Sequence, residues 1–300
     1  MKLLVTGAWS CTAEQLKSVE NLGHEIFFMQ NEKDALPILA ETVEGVIGNG
    51  IFLHHDIKTF EKLKYIQLTS AGFDRVPLDY IGEKNIKIFN ARGVYSIPMA
   101  EFALCGVLQL YKKSRFFFDN QNSKKWEKNR NVLELFGKTV CVVGCGNVGT
   151  ETAKRFNALG CRIVGVDVNT FESEYYDKMF SLSELDEALS LSDVVVLTLP
   201  LTDDTRNLFN EDRFEKMKNG AVLVNISRGA VVCEKALINA LQNKLYGAVL
   251  DVFEQEPLSD ISPLWDCENV IITPHNSFVG EGNSERLFNV IYENLRRETK

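Results

Sequence analysis

Residues 139–167 read TVCVVGCGNVGTETAKRFNALGCRIVGVD. A β-branched run at Thr139–Val143 leads into G-C-G-N-V-G, then into a stretch of helical period ending at Gly160. A second apolar run, Ile163–Val166, follows, and Asp167 closes it. Strand, glycine turn, helix and strand in that order predict a βαβ unit that cradles a pyrophosphate. Gly144 permits the tight turn, Gly146 lets the phosphates approach the backbone, and Gly149 lets the helix pack closely on the sheet. The helix N-terminus adds unpaired N–H groups and partial positive charge. Asp167 stands where a carboxylate accepts the hydroxyls of an adenine ribose. A ribose 2′-phosphate would meet a like charge there, and the next residues, Val168-Asn169-Thr170, offer no arginine. The expected cofactor is therefore NAD rather than NADP.

The bulk properties set the frame around this unit. Three hundred residues correspond to about two domains. With 45% hydrophobic and 25% charged residues the chain is an ordinary globular one. A net charge of −8 argues against nucleic acid or an anionic membrane as partner, though not against a small anionic substrate. The seven cysteines show no metal-ligand spacing and no disulfide framework, so no metal is expected and a reducing, cytoplasmic setting is. The N-terminal MKLLVTGAWS reads as a first strand rather than a signal peptide. No stretch has the length of a membrane span.

Strand and helix patterns alternate along the whole chain. Strands are expected at Lys2–Thr6, His24–Met29, Gly45–Ile47, Tyr65–Thr69 and Ile86–Phe89, with a helix at Thr12–Asn21 that Thr12 caps. One long helix is expected from Ser96, as N-cap, to about Asn120, with Pro98 in its first turn. Beyond the nucleotide unit, strands are expected at Val194–Leu199, Ala221–Ile226, Gly247–Asp251 and Val270–Thr273. Helices are expected at Ser183–Leu191, Glu211–Met217, Glu234–Gln242 and Ser284–Glu298. The pattern predicts an α/β protein with two doubly wound parallel sheets. Only the second carries a G-x-G-x-x-G turn.

In doubly wound sheets ligands bind beyond the carboxyl ends of the strands. Three polar residues follow such strands: Arg228, Glu256 and His275. An arginine fork holds a carboxylate bidentately. Histidine moves protons in the physiological range, and a carboxylate beside a histidine fixes its ring. Each residue has an ordinary structural alternative, as a helix-end bridge or a turn residue. Their joint placement after strands of one nucleotide unit favours hydride transfer between a nicotinamide and a 2-hydroxy or 2-oxo acid.

Together these segments resemble the D-isomer-specific 2-hydroxyacid dehydrogenase family. The matching motifs are V-V-G-C-G-N-V-G with Asp167, L-P-L-T-D-D-T at 199–205, N-I-S-R-G at 225–229 and L-D-V-F-E-Q-E-P at 250–257. Further matches are the run ending I-T-P-H at His275, T-S-A-G-F-D at 69–74 and G-V-Y-S-I-P-M-A-E at 93–101. The resemblance implies a flavodoxin-like substrate domain, residues 1–96 plus about 281–300, and a Rossmann NAD-binding domain, residues 97–280. It implies Arg228 on the substrate carboxylate and carbonyl, His275 as acid/base and Glu256 as its partner. Amides at Ala71 and Gly72 would hold the carboxylate. Asn147 and Val148 would face the pyrophosphate, with Asp167 on the ribose and Pro200 beside the nucleotide. Ile226, Ser227 and Asp251 would line the nicotinamide side. A homodimer paired through the nucleotide domains is also implied.

The chain departs from the family at two places. Asn276-Ser277-Phe278-Val279 follows His275 where small, glycine-rich residues are usual, and Phe102 follows Glu101 where a histidine is frequent. Relatives acting on phosphoglycerate often carry an arginine just after the third strand, whereas this chain reads Gly48-Asn49-Gly50-Ile51. Arg75, Arg92, His54 and His55 remain as cations that could reach the substrate. A small unphosphorylated 2-oxo acid is therefore expected. The alternatives are a 3-phosphoglycerate dehydrogenase of the same family and a non-catalytic NAD sensor that binds protein partners. A reductase of alcohols lacking a carboxylate would have no use for Arg228.

Overall fold

The computed structural model describes residues 1–298. In chain order the elements are β1 (Lys2–Thr6), α1 (Ala13–Glu20), β2 (Glu25–Met29), β3 (Gly45–Gly48), β4 (Tyr65–Leu68), α2 (Leu78–Glu83), β5 (Lys87–Phe89), α3 (Ser96–Tyr111) and α4 (Ser114–Asn122). There follow β6 (Thr139–Val143), α5 (Asn147–Ala158), β7 (Arg162–Asp167), β8 (Lys178–Ser181), α6 (Leu185–Leu191), β9 (Val194–Leu197), α7 (Glu211–Lys216) and β10 (Val222–Asn225). The last are α8 (Glu234–Asn243), β11 (Gly247–Leu250), β12 (Val270–Ile272) and α9 (Asn283–Glu298). The chain divides into two compact units, Met1–Tyr95 with residues 280–298, and Ser96–Val279.

The first unit holds a five-stranded sheet in the order β2-β1-β3-β4-β5. Its strands pair in parallel, the doubly wound order of flavodoxin-like domains, with the switch point between β1 and β3. Burial on both faces explains why its central strands read as unbroken apolar runs. Leu4, Val46 and Ile66 pack on one face, and Leu3, Val5, Ile47 and Tyr65 on the other. Leu287, Ile291 and Leu295, one turn apart along α9, cover that second face. Thr12 caps α1 through a complete capping box with Gln15.

The second unit holds a seven-stranded parallel sheet in the order β12-β11-β10-β9-β6-β7-β8. Winding outward in both directions from β6, it is the Rossmann arrangement. Ala103, Val107 and Tyr111 of α3 pack on Val140 and Val142. A Cβ at Gly106 would lie 2.5 Å from Val249 Cγ1, so α3 is seated directly on β11.

Two elements differ from the sequence reading. The helix expected over 96–120 is two helices, because Lys113 adopts a left-handed backbone, φ 54°. The amide of Leu133 takes the Tyr111 carbonyl at 2.9 Å and Lys112 Nζ reaches the Leu133 carbonyl. A returning segment thus replaces the next helical turn, and periodicity carries no trace of it. The structure also starts α3 at Ser96 itself rather than using it as the cap. The other difference is β8, which was not foreseen. It is a four-residue edge strand in which only Phe180 is fully buried, too little apolar pattern to register.

Candidate active site

The glycine turn is built as its sequence requires. Gly144 has φ +94° and sits so close to the next loop that a Cβ would lie 2.6 Å from Leu199 N. A Cβ at Gly149 would lie 2.1 Å from the Gly144 carbonyl oxygen, which fixes how tightly α5 meets β6. Gly146 differs. Nothing lies within 4 Å of its Cβ position, so its face is open where phosphates would approach. Gly146 is the N-cap residue of α5 and no side chain caps that end, leaving first-turn amides at Asn147 and Val148 for an anion. Asn147 is exposed, whereas Val148 packs partly against the core.

Asp167, at the end of β7, accepts a 2.7 Å bond from Cys145 N in the middle of the glycine turn and a longer one from Asn169 N. A carboxylate has about four acceptor positions, so Asp167 both ties the turn to β7 and retains capacity for ribose hydroxyls. Thr198 Oγ1 donates to the Gly144 carbonyl, and Thr205 Oγ1 to the Pro200 carbonyl at 2.7 Å. The L-P-L-T-D-D-T loop is thereby held beside the glycine turn, with Pro200 exposed. These features fit a dinucleotide.

The three candidate catalytic residues all stand beyond β10, β11 and β12, which are neighbours in the sheet. His275 Nδ1 and Glu256 Oε2 are 2.8 Å apart. Both side chains are about two-fifths exposed, 41% and 37%, so the pair faces solvent rather than the core. Glu256 Oε1 accepts from Phe253 N at 3.1 Å, which fixes the carboxylate from its other side. The ring of Phe278 stands edge-on to the His275 ring, centroids 6.0 Å apart.

His275 has a left-handed backbone, φ 51°, a conformation that costs a non-glycine residue of order 1 kcal/mol or more. The fully buried Asp251 holds it there. Its Oδ1 accepts from Thr273 Oγ1 and Asn276 N, both at 2.7 Å, and its Oδ2 from Ser277 N at 2.9 Å. The Asp251 carbonyl accepts from His275 N at 2.8 Å. Every one of these bonds falls within two residues of His275. Asp251, expected on the nicotinamide side, is thus also the anchor of the histidine loop, a role that spacing does not reveal.

Arg228 is built by a similar device. Asn225 Oδ1 accepts from the amide and hydroxyl of Ser227, and its Nδ2 donates to the Arg228 carbonyl. Arg228 Nη1 donates to the Ser227 carbonyl at 2.8 Å. Gly229 then lies against the next strand's loop, where a Cβ would fall 1.8 Å from the Phe253 carbonyl carbon. The arginine turn and the turn that positions Glu256 are therefore in direct backbone contact. Ile226 and Ser227 are buried, so their side chains belong to the core and to Asn225. Asn225 and Gly229 were missed as site builders, although both stand inside the N-I-S-R-G motif.

In the first unit, the loop after β4 carries Ala71 and Gly72. Asn90 Nδ2 donates to the Ala71 carbonyl at 2.6 Å and Ser70 Oγ to the Gly72 carbonyl at 3.0 Å. Tyr95 Oη donates to the Thr69 carbonyl. Ala71 is exposed and Gly72 half-buried. Among the described residues no group of three metal-ligating side chains occurs, and no helix is long and apolar enough to cross a membrane.

A Rossmann sheet with this glycine turn, and a histidine beyond β12 paired with a glutamate beyond β11, defines a nucleotide-binding α/β protein with a candidate acid–base pair. The family model for the D-isomer specific 2-hydroxyacid dehydrogenase NAD binding domain matches residues 104–277, and the chain belongs to that family. It is 35% identical over 221 residues to a D-3-phosphoglycerate dehydrogenase of Archaeoglobus fulgidus, covering 73% of this chain and 42% of that protein. It is 36% identical over 220 residues to a glyoxylate reductase of Thermofilum pendens, covering 71% of this chain and 65% of that protein. The chain thus spans less than two thirds of the length of either. A D-lactate dehydrogenase of Aquifex aeolicus, solved with NAD and lactic acid, superimposes with a TM-score of 0.78 at 27% identity, covering 99% of this chain and 95% of that one.

Proposed function

We propose that this protein is an NAD-dependent oxidoreductase of small, unphosphorylated 2-oxo and 2-hydroxy acids, D-specific by its family. The observation that carries the reading is the 2.8 Å contact of His275 Nδ1 with Glu256 Oε2 on a loop clamped by Asp251. An ionised Glu256 is acceptor-only, so Nδ1 carries its proton toward Glu256 and Nε2 is the atom presented to substrate. In the reducing direction His275 Nε2 gives a proton to the substrate oxygen, and in the oxidising direction it takes one back. Arg228 holds the substrate carboxylate and polarises its carbonyl. In the first unit the loop after β4 offers the amides of Ala71 and Gly72 as donors suited to a carboxylate.

NADH, when bound, supplies the hydride. Gly146 and the amides of Asn147 and Val148 would receive its pyrophosphate on a turn shaped by Gly144 and Gly149, Asp167 would hold its ribose, and Pro200 would lie beside the nucleotide. The backbone at Ile226, Ser227 and Asp251 would border the nicotinamide, since their side chains are buried. The carboxylate of Asp167 supports NAD over NADP. All seven cysteines are free, which supports a cytoplasmic setting. Trp126 is 98% and Phe136 77% exposed in the second unit, which supports a homodimer that would cover them.

The test is consumption of NADH, with NADPH alongside, on glyoxylate, hydroxypyruvate, pyruvate, branched 2-oxo acids and 3-phosphohydroxypyruvate. Turnover best on an unphosphorylated acid is expected. A wide kcat/KM preference for the phosphate ester would make it a phosphoglycerate dehydrogenase instead. Bound NADH with no turnover on any acid would favour a sensor.

A further inference from the structure

At the switch point of the first unit's sheet the protein places a negative charge of its own. Glu32, in the loop after β2, extends its carboxylate to the carboxyl ends of β1 and β3. Its Oε1 accepts from Thr6 Oγ1 at 2.8 Å and from Asn49 N at 2.6 Å, and its Oε2 accepts from Gly50 N at 2.7 Å. Two successive amides and a hydroxyl converging on one carboxylate form an anion cradle. Gly48 makes room for it, since a Cβ there would lie 2.7 Å from Glu32 Oε1 and 3.1 Å from Thr6 Oγ1. His55 Nε2 lies 3.1 Å from the Glu32 carbonyl, pinning the backbone as well. The Arg75 stem flanks the cradle, its Cδ 3.8 Å from where a Gly50 Cβ would be.

The position gives the carboxylate a consequence. In a sheet ordered β2-β1-β3-β4-β5 the ligand crevice lies beyond the strand ends at the β1/β3 switch point. The loop with Ala71 and Gly72 follows β4, which pairs with β3 in register Gly48↔Leu68. Donors that could receive a distal anionic group of a substrate are thus one strand away from the amides assigned to the 2-oxo acid head, and Glu32 already fills them.

We propose that Glu32 is a specificity-determining residue, a built-in anion that rejects 2-oxo acids carrying a second, distal negative group such as a phosphoester. The proposal rests on the oxidoreductase reading given above. A phosphoester brought to this end of the sheet meets an occupied cradle and a like charge, the repulsive half of a specificity device. With Glu32 removed, Asn49 N–H, Gly50 N–H, Thr6 Oγ1 and the neighbouring Arg75 would constitute a site for that same group.

The experiment measures kcat/KM with NADH for hydroxypyruvate and for 3-phosphohydroxypyruvate in the wild type, Glu32→Ala and Glu32→Gln. Glu32→Gln keeps the shape and two-atom reach while removing the charge, so it serves if the alanine variant fails to fold. The expected result is a fall of about tenfold or more in the preference for the unphosphorylated acid, equivalent to about 1.4 kcal/mol. A preference that stays within about twofold of wild type in the folded variants overturns the proposal, a change too small for a lost like-charge contact. A second readout needs no turnover. Inorganic phosphate should raise the Tm of Glu32→Ala and leave that of the wild type where it was. If the wild type reduces none of the acids, the oxidoreductase reading fails and the phosphate shift alone decides whether Glu32 guards an anion site; no shift in the variant overturns that too.

Discussion

His275 and Asp251 divide the work at the candidate catalytic loop, and substitution should separate their roles. His275 presents a ring hydrogen-bonded to Glu256 at a partly exposed position. His275→Ala should lower kcat by about 10²- to 10⁴-fold while leaving NADH affinity and Tm close to wild type, as steady-state kinetics, fluorescence titration and melting will show. Equal loss of activity and NADH binding would mark the ring as structural. Asp251→Ala should behave differently, because it strands three donors around a fully buried position. A cost of about 3 kcal/mol or more in folding stability is expected, together with a fall in kcat. A stable, active Asp251→Ala would refute its role as the loop's anchor. Asp167→Ala should weaken NADH more than NADPH, since only the unphosphorylated ribose benefits from the carboxylate. Titration of the two cofactors checks this, and an unchanged ratio would remove Asp167 from the ribose. The histidine, glutamate and arginine could be singled out as candidates because motifs point to chemistry, and the structure brings His275 and Glu256 into contact. Glu32 and the anchoring role of Asp251 were not, because each works through backbone amides far away in sequence: Glu32 through Asn49 and Gly50, Asp251 through Asn276 and Ser277.

At the scale of elements, the β6–turn–α5 unit tolerates little change at two of its three glycines. A Cβ at Gly149 would overlap the Gly144 carbonyl oxygen, and that contact is backbone, which cannot swing aside as a side chain can. Gly149→Ala should therefore force α5 away from β6, costing about 1–3 kcal/mol and several degrees of Tm. NADH affinity should fall with it, because the same shift moves the α5 N-terminus. The Gly146 position has open space around it, so Gly146→Ala should leave Tm nearly intact and weaken NADH alone. Melting curves and NADH titrations on both variants test the distinction, and equal Tm losses would contradict it. The three glycines look alike in sequence but have three different surroundings. Apolar runs predicted nearly all the strands to within a residue or two at their ends, because parallel strands buried on both faces have to be apolar throughout. The break at Lys113 and the edge strand β8 escaped, since one depends on Leu133 capturing the Tyr111 carbonyl and the other buries one large side chain.

Across both units the molecule carries buried thiols and phenols whose ionisation burial pushes to high pH. Burial pushes the Cys145 thiol, inside the glycine turn, from 9.0 up to about 12, and the Cys161 thiol up to about 11. Burial also raises Cys141, Tyr111 and Tyr176 in the same unit, and Tyr65 in the first. Each of these groups is neutral in the folded state and ionises more readily once exposed. Above pH 9 the unfolded chain gives up protons that the folded chain retains, so the unfolded state binds fewer and stability falls as pH rises. The contribution is fully present below about pH 9 and disappears progressively toward pH 11–12 as the folded-state values for Cys161 and Cys145 are reached. A net charge of −8 at neutral pH grows more negative over the same range, and self-repulsion adds to the loss. Urea midpoints measured from neutral pH upward should hold steady to about pH 9 and then fall continuously. Thiol labelling gives a second reading. The exposed Cys105 should react with an alkylating reagent in the folded protein, while Cys145 and Cys161 react only when urea opens the second unit. Rapid labelling of Cys145 in the folded protein, or a urea midpoint indifferent to pH above 9, would show that the glycine turn is not the sealed element its geometry describes.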